Sequence, residues 1–345
     1  MSDLLLLNAS KTRPKSINLA SRRLDRVPAL ISKLQTLQSV SFKNNSLTSL
    51  CDEITHLKEL TSVNLGNNHL SCVPDQLSFL PKLNILHLFG NHICELAPNV
   101  VVSLQGLTLL NLNDNLLTFL PSQISSLGQL QWLSLARNQL TVLPPEIGRL
   151  NELRELNVSD NLLTLLPDEI SHLKKLKKLY LQKNKLPRLN HNIEGCVALL
   201  VVDVSVNELV SFPYEIKSLS LNELYCEANP LLQELPVSSE QEDEVLCLRE
   251  AAARIVLKSL KDRTSRSRVL LKFHPELRKS LAAARKCAVC RESFLNTWLE
   301  CVQFVSSRKV LGVKNNAGVI PLRVLLCSYR CFNVGAHNYY GVALP

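Results

Sequence analysis

One asparagine recurs through this chain at a nearly constant interval. It stands at Asn45, Asn68, Asn91, Asn115, Asn138, Asn161, Asn184, Asn207 and Asn229, in steps of 23, 23, 24, 23, 23, 23, 23 and 22 residues. Every copy sits in one frame, as in Leu130-x-x-Leu133-x-Leu135-x-x-Asn138-x-Leu140-x-x-Leu143-Pro144. A period of about 20–29 residues restricts the chain to a solenoid, because so short a unit cannot bury its own apolar side and must stack on its neighbours. Leucine carries the core, and aromatics are only 5% of the 345 residues, which suits thin repeated layers better than one globular core.

Each position in the frame has a physical role. Leu-x-x-Leu-x-Leu alternates buried and outward side chains, the mark of a short strand, and strands repeated in register build one parallel sheet on the inner, concave curve. The asparagine follows the strand where the backbone turns, and its amide has the donors and acceptor to satisfy orphaned groups of adjacent turns. The return, as in Leu143-Pro144-Pro145-Glu146-Ile147-Gly148-Arg149-Leu150, is too short for a long helix and is expected to be irregular or briefly helical. The first unit, Ile17-x-Leu19-x-x-Arg22-x-Leu24, puts Arg22 in the asparagine position, as terminal units with one uncovered face often do. About ten units are expected over 14–236, after an N-terminal extension at 1–13. The fold class is thus α/β, a solenoid with a parallel concave sheet, followed by a C-terminal helix and a small zinc-ribbon-like tail.

The Leu-Pro-x-x-Ile-x-x-Leu returns resemble those of the intracellular, Ras-associated group of leucine-rich-repeat proteins. With an alanine-rich helix and a Cys-x-x-Cys…Leu-Cys-Ser-x-x-Cys tail, the whole chain is similar to a small family of intracellular leucine-rich-repeat-containing proteins. The resemblance implies recognition of a protein partner, as a signalling scaffold or as part of larger machinery. No phosphate-cradling glycine loop, Gly-x-Ser-x-Gly or His-Glu-x-x-His occurs, and glycine totals only 10, so a non-enzymatic role is expected.

Recognition by the solenoid falls to the outward strand residues. The central ones run Asn18, Ser41, Asn64, His87, Asn111, Ser134, Asn157, Tyr180, Asp203 and Tyr225. The middle units add large apolar groups, and Ile85, His87, Phe89, Leu109 and Trp132, with Arg137 and Tyr180 beside them, are the expected partner-binding centre. His87 is read as a contact residue rather than a metal ligand. The bland alternative is that the tail or a terminal segment folds back over this patch.

Charge changes where the frame ends. Residues 1–248 hold 21 Lys/Arg and 25 Asp/Glu, a net of −4, and residues 249–345 hold 18 and 5, a net of +13. The acidic run Ser238–Glu244 reads as a linker and helix start, within a linker and helical partner-binding or capping segment at 237–284. A helix through Leu248, Ala252 and Ile255 would cap the last repeat. In the sharper reading, Leu248-x-x-x-Ala252-x-x-Ile255-Val256 resembles the helix by which von Hippel–Lindau-like substrate receptors bind Elongin B/C. It departs from that motif at Cys247, where Ser or Thr is usual, and at Ala252, where Cys is usual. Phe273-His274-Pro275-Glu276-Leu277 resembles the cullin-contacting segment of the same receptors. The resemblance implies a substrate receptor of an Elongin B/C–cullin ubiquitin ligase, with helix-in-groove anchoring.

A basic, cysteine-containing tail occupies 285–345. Cys287-x-x-Cys290 and Cys327-x-x-x-Cys331 are spaced to close one tetrahedral, structural zinc site, with Cys301 and His337 as substitutes for one ligand. Leu326-Cys327-Ser328 resembles the second half of treble-clef-like fingers, and 302–305 and 320–325 alternate like strands, with a turn at 314–318. Eleven cysteines, an odd number, argue for a reducing compartment rather than a disulfide framework; Cys51, Cys72, Cys94, Cys196 and Cys226 read as plain thiols. Nucleic-acid binding by the basic finger is the third reading, disfavoured because linked fingers and stacking aromatics are missing. The leading four-leucine run is too short for a signal peptide and no run of 18 apolar residues occurs, so a cytoplasmic protein is expected, with the nucleus as the alternative and no membrane partner.

Overall fold

The computed structural model describes residues 6–7, 12–232, 248–262, 265–295, 299–315, 318–333 and 339–341. The acidic run Ser238–Glu244, Cys247, His337 and two residues of the 314–318 turn lie outside the described residues. The chain forms two compact units. The first comprises Met1–Val210, Glu215–Pro230 and Ser307–Gly318; the second comprises Ser211–Tyr214, Leu231–Ser306 and Val319–Pro345.

Ten three-residue strands make the sheet of the first unit: β1 (Ser16–Asn18), β2 (Ser39–Ser41), β3 (Ser62–Asn64), β4 (Ile85–His87), β5 (Leu109–Asn111), β6 (Trp132–Ser134), β7 (Glu155–Asn157), β8 (Lys178–Tyr180), β9 (Val201–Asp203) and, after the short β10 (Phe212–Pro213), β11 (Glu223–Tyr225). They pair in parallel in sequence order, with β10 left out. The middle residue of each is buried, from Ile17 through Leu133 to Leu224.

The asparagine ladder holds this register. Asn138 donates from Nδ2 to its own unit's Leu135 carbonyl at 2.9 Å and to the preceding unit's Leu112 carbonyl at 3.0 Å. Its Oδ1 accepts the Leu117 N–H at 3.0 Å. Asn45, Asn68, Asn91, Asn115, Asn161, Asn184, Asn207 and Asn229 repeat the pattern. The residue just before each ladder asparagine has a left-handed backbone, with φ between 53° and 65° from Asn44 to Ala228.

Most returns are one turn of 3-10 helix, such as Pro145–Arg149. Where a proline precedes them it sits at φ near −65°, as at Pro144 (φ −68°), so the Leu-Pro step presets the entry; Cys51 and Asn190 take that place in two returns. The one 24-residue unit returns through an α-helix instead, α1 (Pro98–Ser103). An α-turn rises about 1.5 Å per residue against about 2.0 Å in a 3-10 turn, so it absorbs the extra residue without lengthening the unit.

The sheet's last strand is not left bare. Lys314 N–H donates to the Asn222 carbonyl at 2.6 Å. Asn315 accepts the Leu224 N–H at 3.0 Å and donates to the Leu224 carbonyl at 2.6 Å. A segment about ninety residues downstream thereby copies the bonding of an eleventh unit.

The second unit contains α2 (Leu248–Ser259), α3 (Arg266–Leu270), α4 (Pro275–Ala282), the hairpin β12 (Arg285–Lys286) and β13 (Ser293–Phe294), and two eight-residue antiparallel strands, β14 (Leu299–Ser306) and β15 (Val319–Leu326). Helix α5 (Ser307–Leu311) follows β14 and belongs to the first unit; α6 (Tyr329–Asn333) follows β15. β10 pairs in parallel with β15, and β16 (Tyr340–Gly341) pairs antiparallel with β14. The strands expected at 302–305 and 320–325 lie inside β14 and β15.

Candidate recognition face and cysteine cluster

The outward residues of the sheet form three rows. In the first, Ile85, Leu109 and Trp132 stand side by side on β4, β5 and β6. Neighbouring strands lie about 4.8 Å apart, so the three side chains form one continuous apolar strip. Ile85 and Leu109 are half-buried, and Trp132 is 40% exposed.

Phe89 is placed differently. Its ring lies over Gly66 of the preceding unit, where a Cβ would collide with it, and the Lys43 ammonium sits 5.3 Å from the ring centroid. It therefore reaches towards β3 rather than towards Trp132. The His87 ring meets Phe89 edge-on at 6.3 Å. His87 Nδ1 is buried without a hydrogen-bond partner among the described residues, and burial pushes the imidazole below its ordinary value. Arg137 is not on a strand row at all. It holds the left-handed position before Asn138, and its guanidinium faces Asp114 at 3.3 Å and Asp160 at 3.8 Å in the flanking units. Tyr180, half-buried on β8, is two strands beyond Trp132.

The central row has a structural duty that the sequence alone did not reveal. Asn18, Asn64, Asn111, Asn157 and Asp203 each accept the backbone N–H two residues on, at 2.9–3.0 Å, and so close the strand's end. His87, Tyr180 and Tyr225 forgo that cap. A second feature also went unread. On one flank, Leu116, Phe119, Val142, Leu162 and Leu165 are each 40–51% exposed, one and four residues after the ladder asparagines. The signal was present, as apolar residues at fixed offsets from the ladder in three consecutive units.

In the second unit, the turn between β12 and β13 carries Cys287 and Cys290, the end of β15 leads into Cys327, and α6 carries Cys331. The four sulfurs lie within 4.8 Å of one another, with Cys290–Cys327 and Cys327–Cys331 both at 3.5 Å. A tetrahedral centre with metal–sulfur bonds of about 2.3 Å needs sulfur–sulfur edges of about 3.8 Å, so the group fits a metal ion. Burial pushes the Cys287 thiol up, but the N–H groups of Cys290, Cys327 and Val289 outweigh it and bring the thiol down to about 7. That stabilises a thiolate, the form that binds metal. Cys301 is buried on β14 outside this group of four, and burial pushes it up to about 12. Burial likewise pushes Cys51, Cys196 and Cys226 up to about 11, which leaves them as inert thiols.

Helix α2 is tied to this cluster. Glu250 is fully buried, accepts the Leu295 N–H at 3.0 Å and pairs with Arg254 at 2.7 Å. Arg254 in turn donates to the Cys327 carbonyl at 3.0 Å. With Glu250 and Ala253 turned inward, the opposite face of α2 shows Leu248 (86% exposed), Ala252 and Ile255 (71% exposed) to solvent. Pro275 and Leu277 of α4 are also exposed, beside Phe273 at 75%.

Three overlapping matches to the leucine rich repeat family model cover residues 35–93, 81–140 and 129–186. Those residues are leucine-rich repeats, and the first unit is a leucine-rich-repeat solenoid. Leucine-rich repeat-containing protein 69 of Xenopus laevis is 45% identical over 134 residues, 39% of each chain; the Mus musculus protein of that name is 40% identical over 132 residues, 38% of each. The chain thus spans about two fifths of the length of the curated relatives it matches. Among solved structures, an internalin from Listeria monocytogenes superposes with a TM-score of 0.55 at 23% identity, over 64% of this chain and 62% of that one. A chain of the Drosophila Toll–Spatzle complex does so with 0.55 at 25%, over 62% and 31%. Among the described residues no helix is long and apolar enough to cross a membrane.

Proposed function

We propose that this leucine-rich-repeat protein is a non-enzymatic recognition protein. Its inner sheet binds a protein partner around Ile85, His87, Leu109 and Trp132. Its second unit links that partner to an Elongin B/C–cullin ubiquitin ligase, which makes the chain a substrate receptor. The Toll–Spatzle neighbour is a repeat fold in a protein complex, in keeping with the first half of this reading. The observation that carries the second half is α2. A lone amphipathic helix ordinarily turns its aliphatic side chains inward, yet Leu248 and Ile255 stand in solvent at 86% and 71% exposure. Helix-in-groove partners take up such a stripe. The cysteine group is read as a structural zinc site that fixes α2 through Arg254 and the Cys327 carbonyl. The combination of repeats, helix and tail also resembles leucine-rich repeat-containing protein 58, and that finer kinship is part of the proposal.

Co-purification with Elongin B/C tests it. The wild-type chain is expected to retain the pair. A Leu248→Asp, Ile255→Asp variant is expected to lose it by about tenfold or more, with an unchanged circular dichroism spectrum because both side chains are already in water. A wild-type chain that does not retain Elongin B/C removes the receptor reading and leaves recognition by the sheet standing.

A further inference from the structure

The charges around the inner sheet narrow what it takes. In the first outward row, Ser16, Ser39 and Ser62 precede the apolar strip, and Glu155, Lys178, Val201 and Glu223 follow it. Asp203 and Glu227 add carboxylates to the other two rows at the same end. Among the described residues only one of these acids, Glu155, has a cation within ion-pair distance. Lys178 lies 3.4 Å from Glu155, and Glu155 first, then Tyr180, holds its ammonium above the ordinary value. Among the described residues no Lys or Arg lies within ion-pair distance of Asp203, Glu223 or Glu227. Glu223 instead accepts the Tyr225 hydroxyl at 3.0 Å. The face carries one cation, Lys43, at one end and is apolar in the middle; at the other, β7 to β11 and the residues just after them hold a net of −3, with the exposed Arg154 and Lys177 standing just before β7 and β8.

We infer that the partner is a protein segment that sets a bulky apolar side chain on Ile85, Leu109 and Trp132 and a Lys or Arg on Glu223, Glu227 and Asp203. The inference rests on the reading that the inner sheet is the binding face. From β6 to β9 and β11 is three to four strand spacings, about 14–19 Å at about 4.8 Å each. An extended chain covers that in about four to six residues at about 3.3 Å per residue. Asp203, Glu223 and Glu227 repel phosphate, which disfavours nucleic acid at this end.

The test pans a phage-displayed library of random peptides, about twelve residues long, against the whole protein. The enriched peptides are then measured against four variants and at two salt concentrations. Enrichment of an aromatic or leucine with Lys or Arg four to six positions away is expected. Affinity should fall about tenfold or more with Leu109→Ala, Trp132→Ala and about tenfold with Glu223→Lys, Glu227→Lys. It should fall less with the isosteric Glu223→Gln, Glu227→Gln pair, and not at all with Phe119→Ser, Leu165→Ser on the flank. Binding should weaken as salt rises. Peptides that need Trp132 but show no basic preference and tolerate both Glu pairs overturn the inference and leave the binding face in place. Peptides indifferent to the sheet variants and lost with the flank variant overturn both. Self-association of the unliganded protein that disappears in Glu223→Lys, Glu227→Lys assigns the acidic end to the basic tail of a second copy and overturns it too, as does a library without binders.

Discussion

At the residue scale, the ladder asparagines are the least replaceable side chains in the chain. Asn138→Ala strands the Leu117 N–H in a site where the asparagine is only 8% exposed, and takes one of two donors from the Leu112 and Leu135 carbonyls, which keep Asn115 and Asn161. An unsatisfied buried group costs about 1–3 kcal/mol, so a loss of about 2 kcal/mol is expected in urea unfolding. Asn229→Ala, at the half-buried end of the ladder, should cost visibly less. The position before each asparagine offers the opposite opportunity. Val206 holds φ 55° with a β-branched side chain that is 47% exposed. Left-handed backbone costs such a residue about 1–2 kcal/mol, whereas asparagine tolerates it, so Val206→Asn should raise the unfolding midpoint by about 1 kcal/mol of stability. The asparagine frame was plain in the sequence. The left-handed turn before it is signalled only at Asn44, Asn67, Gly90, Asp114 and Asp160; Arg137, Lys183 and Val206 are residues no turn rule would select.

At the scale of the element, close packing of the returns sets the tolerance. A Cβ on Gly148 would run into the Glu169 backbone carbonyl of the next unit, so Gly148→Ala should cost about 1–3 kcal/mol by overpacking, read from the same unfolding curve. The extra residue between Asn91 and Asn115 showed in the sequence as a 24-residue step; its conversion into α1 needed the turn geometry. For the second unit, the hydrogen bond from Arg254 to the Cys327 carbonyl makes a specific expectation about α2. Cys287→Ser, or chelation of the purified protein, should speed amide exchange along Leu248–Ser259 while exchange in the solenoid strands stays unchanged. Metal analysis should find about one zinc per wild-type chain and none in the variant. A metal-free wild type with a slow-exchanging α2 would remove the zinc reading.

At the scale of the whole molecule, the proposed function divides recognition between faces that the fold makes in different ways. The inner sheet presents whatever the outward strand positions hold, so its chemistry can be read along rows. Replacing Trp132 and Leu109 by alanine should leave the protein folded, because neither is fully buried, and weaken partner binding about tenfold or more in a pull-down assay. The second unit has no repeat; the stripe Leu248, Ala252 and Ile255 was readable in the sequence, and its outward direction follows from Glu250 being buried against the Leu295 N–H. Sequence reasoning grouped Phe89 and Arg137 with Trp132 because all three point away from the core. It could not weigh the space above Gly66, which draws the Phe89 ring back one unit, or the two aspartates that hold Arg137 along the turn row.

The sequence by itself determined the solenoid, its ten strands, the inward leucines and the pairing of two cysteine doublets, because each follows from a repeat period, an alternation or a ligand spacing that acts locally. Three things were decided only by tertiary structure. Lys314 and Asn315 continue the last strand's bonding, Phe212–Pro213 leaves its repeat to pair with β15, and the central asparagine row is spent on closing strands rather than on a partner. Each depends on groups distant in the chain or on a side chain's choice between its own backbone and solvent. The ladder asparagines mark where each unit turns, and the proposed recognition rests on the outward carboxylates and aromatics of the strands beside them.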